Sequence, residues 1–129
     1  MTALGTRASA TALVGLLLLA SPAQAQRGGC DLGVGLAALA TANHLLTAPT
    51  TSLAEGRDQA SQTSTALHEA RAILFGCGCR RLAEQAAEGA GLAEQARSEA
   101  SVAGLRRALD RAGLSLSLAR ERAGTAGCS

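Results

Sequence analysis

The chain has 129 residues, which is enough for one ordinary domain and too few for two. It contains 30 Ala and 21 Leu, all twelve basic residues are Arg, and Phe75 is its one aromatic residue. The formal net charge is +2. Nucleic-acid binding is not expected, because single strands are bound by stacking on aromatic rings and duplexes by a strongly basic surface. Neither of the glycine-rich phosphate-binding motifs occurs in the sequence.

Residues 1–25 have the features of a secretory signal peptide. Arg7 supplies the amino-terminal charge, an apolar run of 13 residues extends from Ala8 to Ala20, and Ala23-Gln24-Ala25 fits the small-x-small cleavage pattern. Thirteen apolar residues are too few to cross a bilayer as a helix, and no later stretch is long enough for a membrane span. We therefore expect an exported mature chain of residues 26–129, periplasmic or secreted. Its Ala-rich, Lys-free composition suggests a GC-rich bacterial genome and hence the periplasm first.

The mature chain is predicted to form one small all-α domain. Alanine is the best intrinsic helix former, and apolar residues recur at every third or fourth position in four segments. These predicted helices cover residues 31–47, 53–75, 80–98 or 80–100, and 102–123. Their apolar seams consist mostly of Ala and Gly, which let helices approach closely but bury little area. Such seams alone would make a weak core.

The junction between the third and fourth helices is left open by the sequence. The apolar pattern changes phase between Ala103 and Leu105, close to Ser98 and Ser101. A turn is the simplest explanation for this change. The alternative is one long helix from residue 79 to residue 123.

Four Cys residues divide the mature chain into two similar halves. Cys30 and Cys77 are 47 residues apart, and Cys79 and Cys128 are 49 residues apart. Each interval contains one predicted pair of helices, so the two Cys of a pair would lie at the open ends of an antiparallel hairpin. An exported chain can form disulfides. We therefore predict two disulfide-stapled hairpins, 30–77 and 79–128. A four-helix bundle is one way in which the two hairpins can pack together.

Two other cysteine pairings remain possible at this point. The swapped form, Cys30–Cys79 with Cys77–Cys128, would place its bonds at nearly the same positions. The third form needs a bond between Cys77 and Cys79 across one glycine, which would be strained. A strained bond of that kind would be oxidising and would suit thiol–disulfide exchange, so exchange at the Cys-Gly-Cys motif is one functional alternative.

A soft-metal site is another functional alternative. Cys77 and Cys79, together with His44 and His68, are ligand types that bind Cu(I) or zinc. Neither His lies at a short, metal-type spacing from a Cys or from the other His. We therefore expect no metal site and no cofactor. The scattered Ser residues and the carboxylates outside the apolar seams likewise predict no catalytic residues, and we expect the protein not to be an enzyme.

Arg106, Arg107 and Arg111 form the only basic cluster of the mature chain. Such a cluster can contact an anionic surface, for example lipid head groups or a cell-envelope polymer. The simpler interpretation is a solvated helix face whose charge is balanced by Asp110 and Glu121.

Taken in order of preference, three functions fit these patterns. The first is a small structural or protein-interaction role in the cell envelope, with an unknown protein partner or with self-association through the Ala/Gly seams. The second is binding of copper or zinc, and the third is thiol–disulfide exchange.

Overall fold

The computed structural model describes residues 30–126 and Cys128, and the predicted signal peptide lies outside this range. The described residues form four α-helices and no strand. The helices are α1 (Leu32–Thr47), α2 (Leu53–Gly76), α3 (Arg80–Arg97) and α4 (Val102–Ala126). The prediction of an all-α fold is confirmed, and the four predicted helices lie where the structure has them, apart from small shifts at their ends.

Local capping explains where α1 and α2 begin. The Asp31 carboxylate accepts a hydrogen bond from the backbone N–H of Val34 at 3.2 Å. The Ser52 hydroxyl accepts one from the backbone N–H of Glu55, also at 3.2 Å, while the Glu55 carboxylate accepts from the backbone N–H of Thr51 at 3.1 Å. These bonds satisfy amide groups that have no partner inside the helix.

A turn at residues 98–101 separates α3 from α4, so the alternative of one helix from residue 79 to 123 is wrong. The backbone N–H of Ser98 bonds to the carbonyl of Gln95, which tightens the last turn of α3. Ser101 then begins α4, because its hydroxyl accepts from the backbone N–H of Gly104 at 3.1 Å. A side chain at Gly104 would collide with the carboxylate of Glu99.

Helices α2 and α3 form the central pair of the bundle. Helix α1 packs on α2 and α4 packs on α3, whereas α1 and α4 contact each other less extensively. Eight buried leucines and a larger set of alanines fill the interior between them. The six fully buried leucines are Leu39, Leu67, Leu74, Leu105, Leu109 and Leu116.

The predicted Ala/Gly seams face this interior. A Cβ atom at Gly56 would lie 2.7 Å from a methyl carbon of Leu105, and one at Gly89 would lie 3.2 Å from a methyl carbon of Leu67. These glycines let each leucine pack directly against backbone. Most described positions of these seams are therefore buried within the chain itself.

The disulfides are Cys30–Cys77 and Cys79–Cys128, which confirms the preferred pairing and shows the swapped one to be wrong. The Cα atoms are 4.8 Å apart in the first bridge and 4.5 Å apart in the second. Gly78 separates the two bridges with a φ of +80°, a conformation that glycine adopts without steric cost. Both bridges therefore lie at the same end of the bundle.

Candidate functional site

The residues that could have bound a metal are not assembled into a site. All four Cys are in disulfides, so neither Cys77 nor Cys79 supplies a thiolate. His44 lies in the last turn of α1, and His68 lies nine residues before Cys77, about 13 Å along α2. Within residues 30–126 and 128, no group of three or more His, Cys, Asp or Glu side chains is placed to hold a metal ion.

The structure does bring together a Ser, a His and a Glu, a cluster that our sequence analysis missed. Ser64 and His68 lie one turn apart on α2, and Glu94 faces them from α3. Glu94 Oε1 accepts a hydrogen bond from Ser64 Oγ at 3.0 Å and lies 2.9 Å from His68 Nε2. The spacing of Ser64 and His68 is visible in the sequence, but nothing in the sequence places Glu94 beside them.

The order of these groups differs from that of a hydrolase triad. In a triad the imidazole lies between the carboxylate and the nucleophile and removes the proton of the hydroxyl. Here the carboxylate of Glu94 lies between the other two, and the hydroxyl of Ser64 donates to it. Ser64 is also buried, with 5% of its surface exposed. The cluster therefore cross-links α2 to α3 and lacks the hydroxyl–imidazole contact of a triad.

The same contacts stabilise the charged form of Glu94. The hydrogen bond from His68, followed by that from Ser64, lowers the pKa of this carboxyl group below its usual value of 4.5, and partial burial opposes them. A carboxyl group with a lowered pKa in the folded state stabilises that state above its unfolded pKa. This contribution disappears as the pH falls through the folded pKa.

We therefore expect Glu94→Gln to flatten the acid side of the stability profile. Wild-type protein should lose thermal stability between about pH 5 and about pH 3, and Glu94→Gln should lose less over the same range. Thermal unfolding followed by circular dichroism measures both slopes. Glu88→Gln, which removes an exposed carboxylate from the same helix, is the matched control. Equal slopes for the two variants would contradict this role of Glu94.

An open polar groove lies beside the cluster, between α2 and α3. It has a volume of about 560 Å³. Ligand sites for small molecules are usually enclosed and mostly apolar, and this groove is neither. Its lining carries both signs of charge and consists of Arg57, Asp58, Ser61, Glu94, Arg97 and Ser98. Arg57 is partly engaged, because its Nη2 donates to the carbonyl of Glu99 at 3.1 Å. The groove has the character of a solvated helix surface.

Arg106 has a different role from Arg107 and Arg111, the other two members of the predicted basic cluster. Its Nη1 donates to the carbonyl of Ala48 at 2.9 Å and to the hydroxyl of Thr50 at 3.0 Å. The guanidinium group thereby attaches the α1–α2 loop to the first turns of α4. Arg107 and Arg111 remain exposed.

The buried side chain of Gln59 completes this attachment. Its Nε2 donates to the carbonyls of Leu45 and Ala48, and its Oε1 accepts from the Thr50 hydroxyl at 2.6 Å. Only 7% of Gln59 is exposed, and all of its polar atoms have partners. The loop between α1 and α2 is therefore held from α2 and from α4 at once.

Six large apolar side chains lie on the surface of the described residues. Leu32 and Leu36 lie one turn apart on α1 and form an α1 patch, and two others lie on the outer face of α4. Phe75 is 60% exposed, and the Arg80 guanidinium carbon lies 5.9 Å from its ring centre. The six are Leu32, Val34, Leu36, Phe75, Leu114 and Leu118.

The α1 patch lies on a helix without formal charge. Helix α1 contains no Asp, Glu, Lys or Arg, and its only ionisable side chain is His44 in the last turn. Its buried side packs on α2, and Leu32 and Leu36, one turn apart, are exposed along one flank of that side. Val34, two residues from each of them, is exposed on the opposite flank. Two adjacent exposed leucines on an uncharged helix make this flank of α1 a candidate contact site.

Comparison with known proteins places the chain in no family. No family model matches it, and no curated protein and no solved structure is significantly similar to it. None of the helices in the described part of the chain is long and apolar enough to cross a membrane.

Proposed function

We propose that this protein is an exported, non-enzymatic protein of the cell envelope that presents rigid helix faces to a protein partner. The observation that carries the proposal is the exposure of its large apolar side chains. Residues 26–129 contain 15 Leu, two Val, one Ile and one Phe, and six of these lie on the surface. A chain with so few large apolar residues would stabilise its own core better by burying them.

Export is supported by the disulfides and by residues 1–25. Disulfides form and persist in oxidising compartments such as the bacterial periplasm. Both bridges lie at one end of the bundle and limit the movement of the helices relative to one another. A surface held rigidly before binding loses less conformational entropy when the partner arrives.

The chemistry of the α1 patch indicates the kind of partner that it suits. Because α1 carries no formal charge, a charged group buried against it would lose its hydration without gaining an ion pair. The matching surface on the partner is therefore apolar and uncharged, such as the apolar face of another helix.

Site-specific photo-crosslinking in an exporting host tests this role. A photoreactive amino acid replaces Leu36 in the α1 patch, or replaces Glu88 on the exposed face of α3 as a control. We expect one discrete crosslinked product from position 36, absent at position 88 and lost when Leu32 is changed to Gln. Equal labelling from both positions would overturn the proposed contact.

The same preparation tests export. We expect mass spectrometry without reductant to show a chain that begins at Gln26 and lacks four hydrogens, as two disulfides require. A chain that begins at Met1, or that has two alkylated thiols, would contradict an exported and fully oxidised protein.

A further inference from the structure

The outer face of α4 carries a second seam with helical spacing. The inner seam, which includes Leu109 and Leu116, is buried in the bundle. The outer seam consists of Arg111, Leu114, Leu118 and Glu121, which are spaced by three, four and three residues. All four of these are exposed, and the two leucines are 61% and 41% exposed. Spacing of this kind places the four side chains in one line along the helix.

The order of side chains in the outer seam is self-complementary when read in opposite directions. In an antiparallel pair centred between Leu114 and Leu118, each of these leucines faces the other leucine of the second copy. Arg111 then faces the partner's Glu121, and the two-fold axis repeats this charge pair on the opposite side. An apolar centre is thus flanked by two pairs of opposite charge.

We infer that α4 pairs with α4 of a second copy of this chain through the outer seam, antiparallel and about a two-fold axis. The inference rests on the proposed role in protein contact and adds to it a second contact surface, on α4. A parallel pair would place Arg111 against Arg111 and Glu121 against Glu121, and like charges in register oppose association. An anionic lipid surface would attract Arg111 but repel Glu121, so a second copy fits the seam better.

Polar groups beside the outer seam already have partners within their own chain. The Asp110 carboxylate lies 4.0 Å from Arg106 Nε. The Ser117 hydroxyl donates to the carbonyl of Leu114 at 2.9 Å. Docking of a second helix therefore leaves neither group without a partner, which avoids the main cost of covering polar atoms.

The size of the outer seam predicts a weak dimer. From Arg111 to Glu121 it spans about 15 Å of helix, so the contact is smaller than a standard stable interface. We expect a monomer–dimer equilibrium that shifts to monomer on dilution.

Sedimentation equilibrium of the oxidised, exported protein across the micromolar to millimolar range measures this equilibrium. Changing both Leu114 and Leu118 to Gln should weaken association at least about a hundredfold. Leu36→Gln on α1 should leave the dimer intact. An unchanged thermal melt of the double variant, read at monomer concentrations, shows that it still folds. A wild-type protein that stays monomeric throughout, or a dimer that survives both substitutions, would overturn the inference.

Charge reversal tests the antiparallel register. Arg111→Glu alone and Glu121→Arg alone should each weaken the dimer about tenfold, because two attractive contacts become repulsive. Mixing the two single variants should restore association, since both charge pairs are again opposite in the mixed dimer. If the mixture of the two variants associates no more tightly than either variant alone, the antiparallel register is wrong.

The two experiments separate this inference from the proposed function. If the protein is monomeric but still crosslinks from position 36, the α4 dimer is wrong and the proposed contact through α1 stands. If the protein is monomeric and also gives no specific crosslink from position 36, the proposed interaction role is wrong as well.

Discussion

Reduction of the two disulfides is expected to unfold most of the protein at growth temperature. Each bridge closes a loop of nearly fifty residues, with sequence separations of 47 and 49. Closing a loop of that length stabilises the folded state by about 4 kcal/mol in the chain-entropy account. Small domains have a net stability of only about 5–15 kcal/mol, and the Ala-rich interior of this one buries little area per residue. Far-UV circular dichroism with and without reductant measures the effect.

Paired alanine variants separate the two bridges. Replacing both Cys30 and Cys77 should cost about 4 kcal/mol, and replacing both Cys79 and Cys128 should cost more. The difference arises because Cys79 is 1% exposed and packs in the core, whereas Cys30 is exposed. A reduced protein that melts at the same temperature as the oxidised one would show that packing alone holds the helices.

Leu67→Ala is expected to cost the oxidised protein about 3–5 kcal/mol, in the upper part of the range for buried leucines. Leu67 has no exposed surface and packs from α2 against the backbone of α3 at Gly89. The neighbouring seam positions are largely Ala and Gly, whose short side chains cannot turn to fill the space left by a leucine. The cavity should therefore persist. Denaturation in guanidinium chloride, with both disulfides intact, measures the change.

Leu36→Ala is the matched control for that substitution. Leu36 is 46% exposed on α1, so its truncation opens no cavity and should cost less than about 1 kcal/mol. If the two variants lose the same stability, the leucines inside the bundle do not provide the packing that the structure assigns to them.

The helices of this protein were predictable because their signals are local. The repeat of apolar residues, the caps at Asp31 and Ser52 and the phase change near Gly104 each act within a few residues of the chain. The disulfide pairing was also predictable, since each pair of Cys brackets one predicted hairpin. The choice between the preferred and the swapped pairing was not certain, because Cys77 and Cys79 are only two residues apart and their side-chain directions decide it.

The side-chain clusters depended on contacts between helices. Glu94 meets Ser64 and His68 because α2 and α3 pack in one particular rotation. Arg106 was grouped with Arg107 in the sequence, yet it holds the α1–α2 loop because α4 begins beside that loop.

Composition and spacing alone therefore established an all-α chain with two linked hairpins. Only the tertiary structure decided that the Ala/Gly seams lie inside, that Leu32 and Leu36 of α1 stay exposed and that the outer seam of α4 stays uncovered. The physical reason is that periodicity shows which residues share a face of one helix. Which neighbour covers that face depends on how the helices pack together.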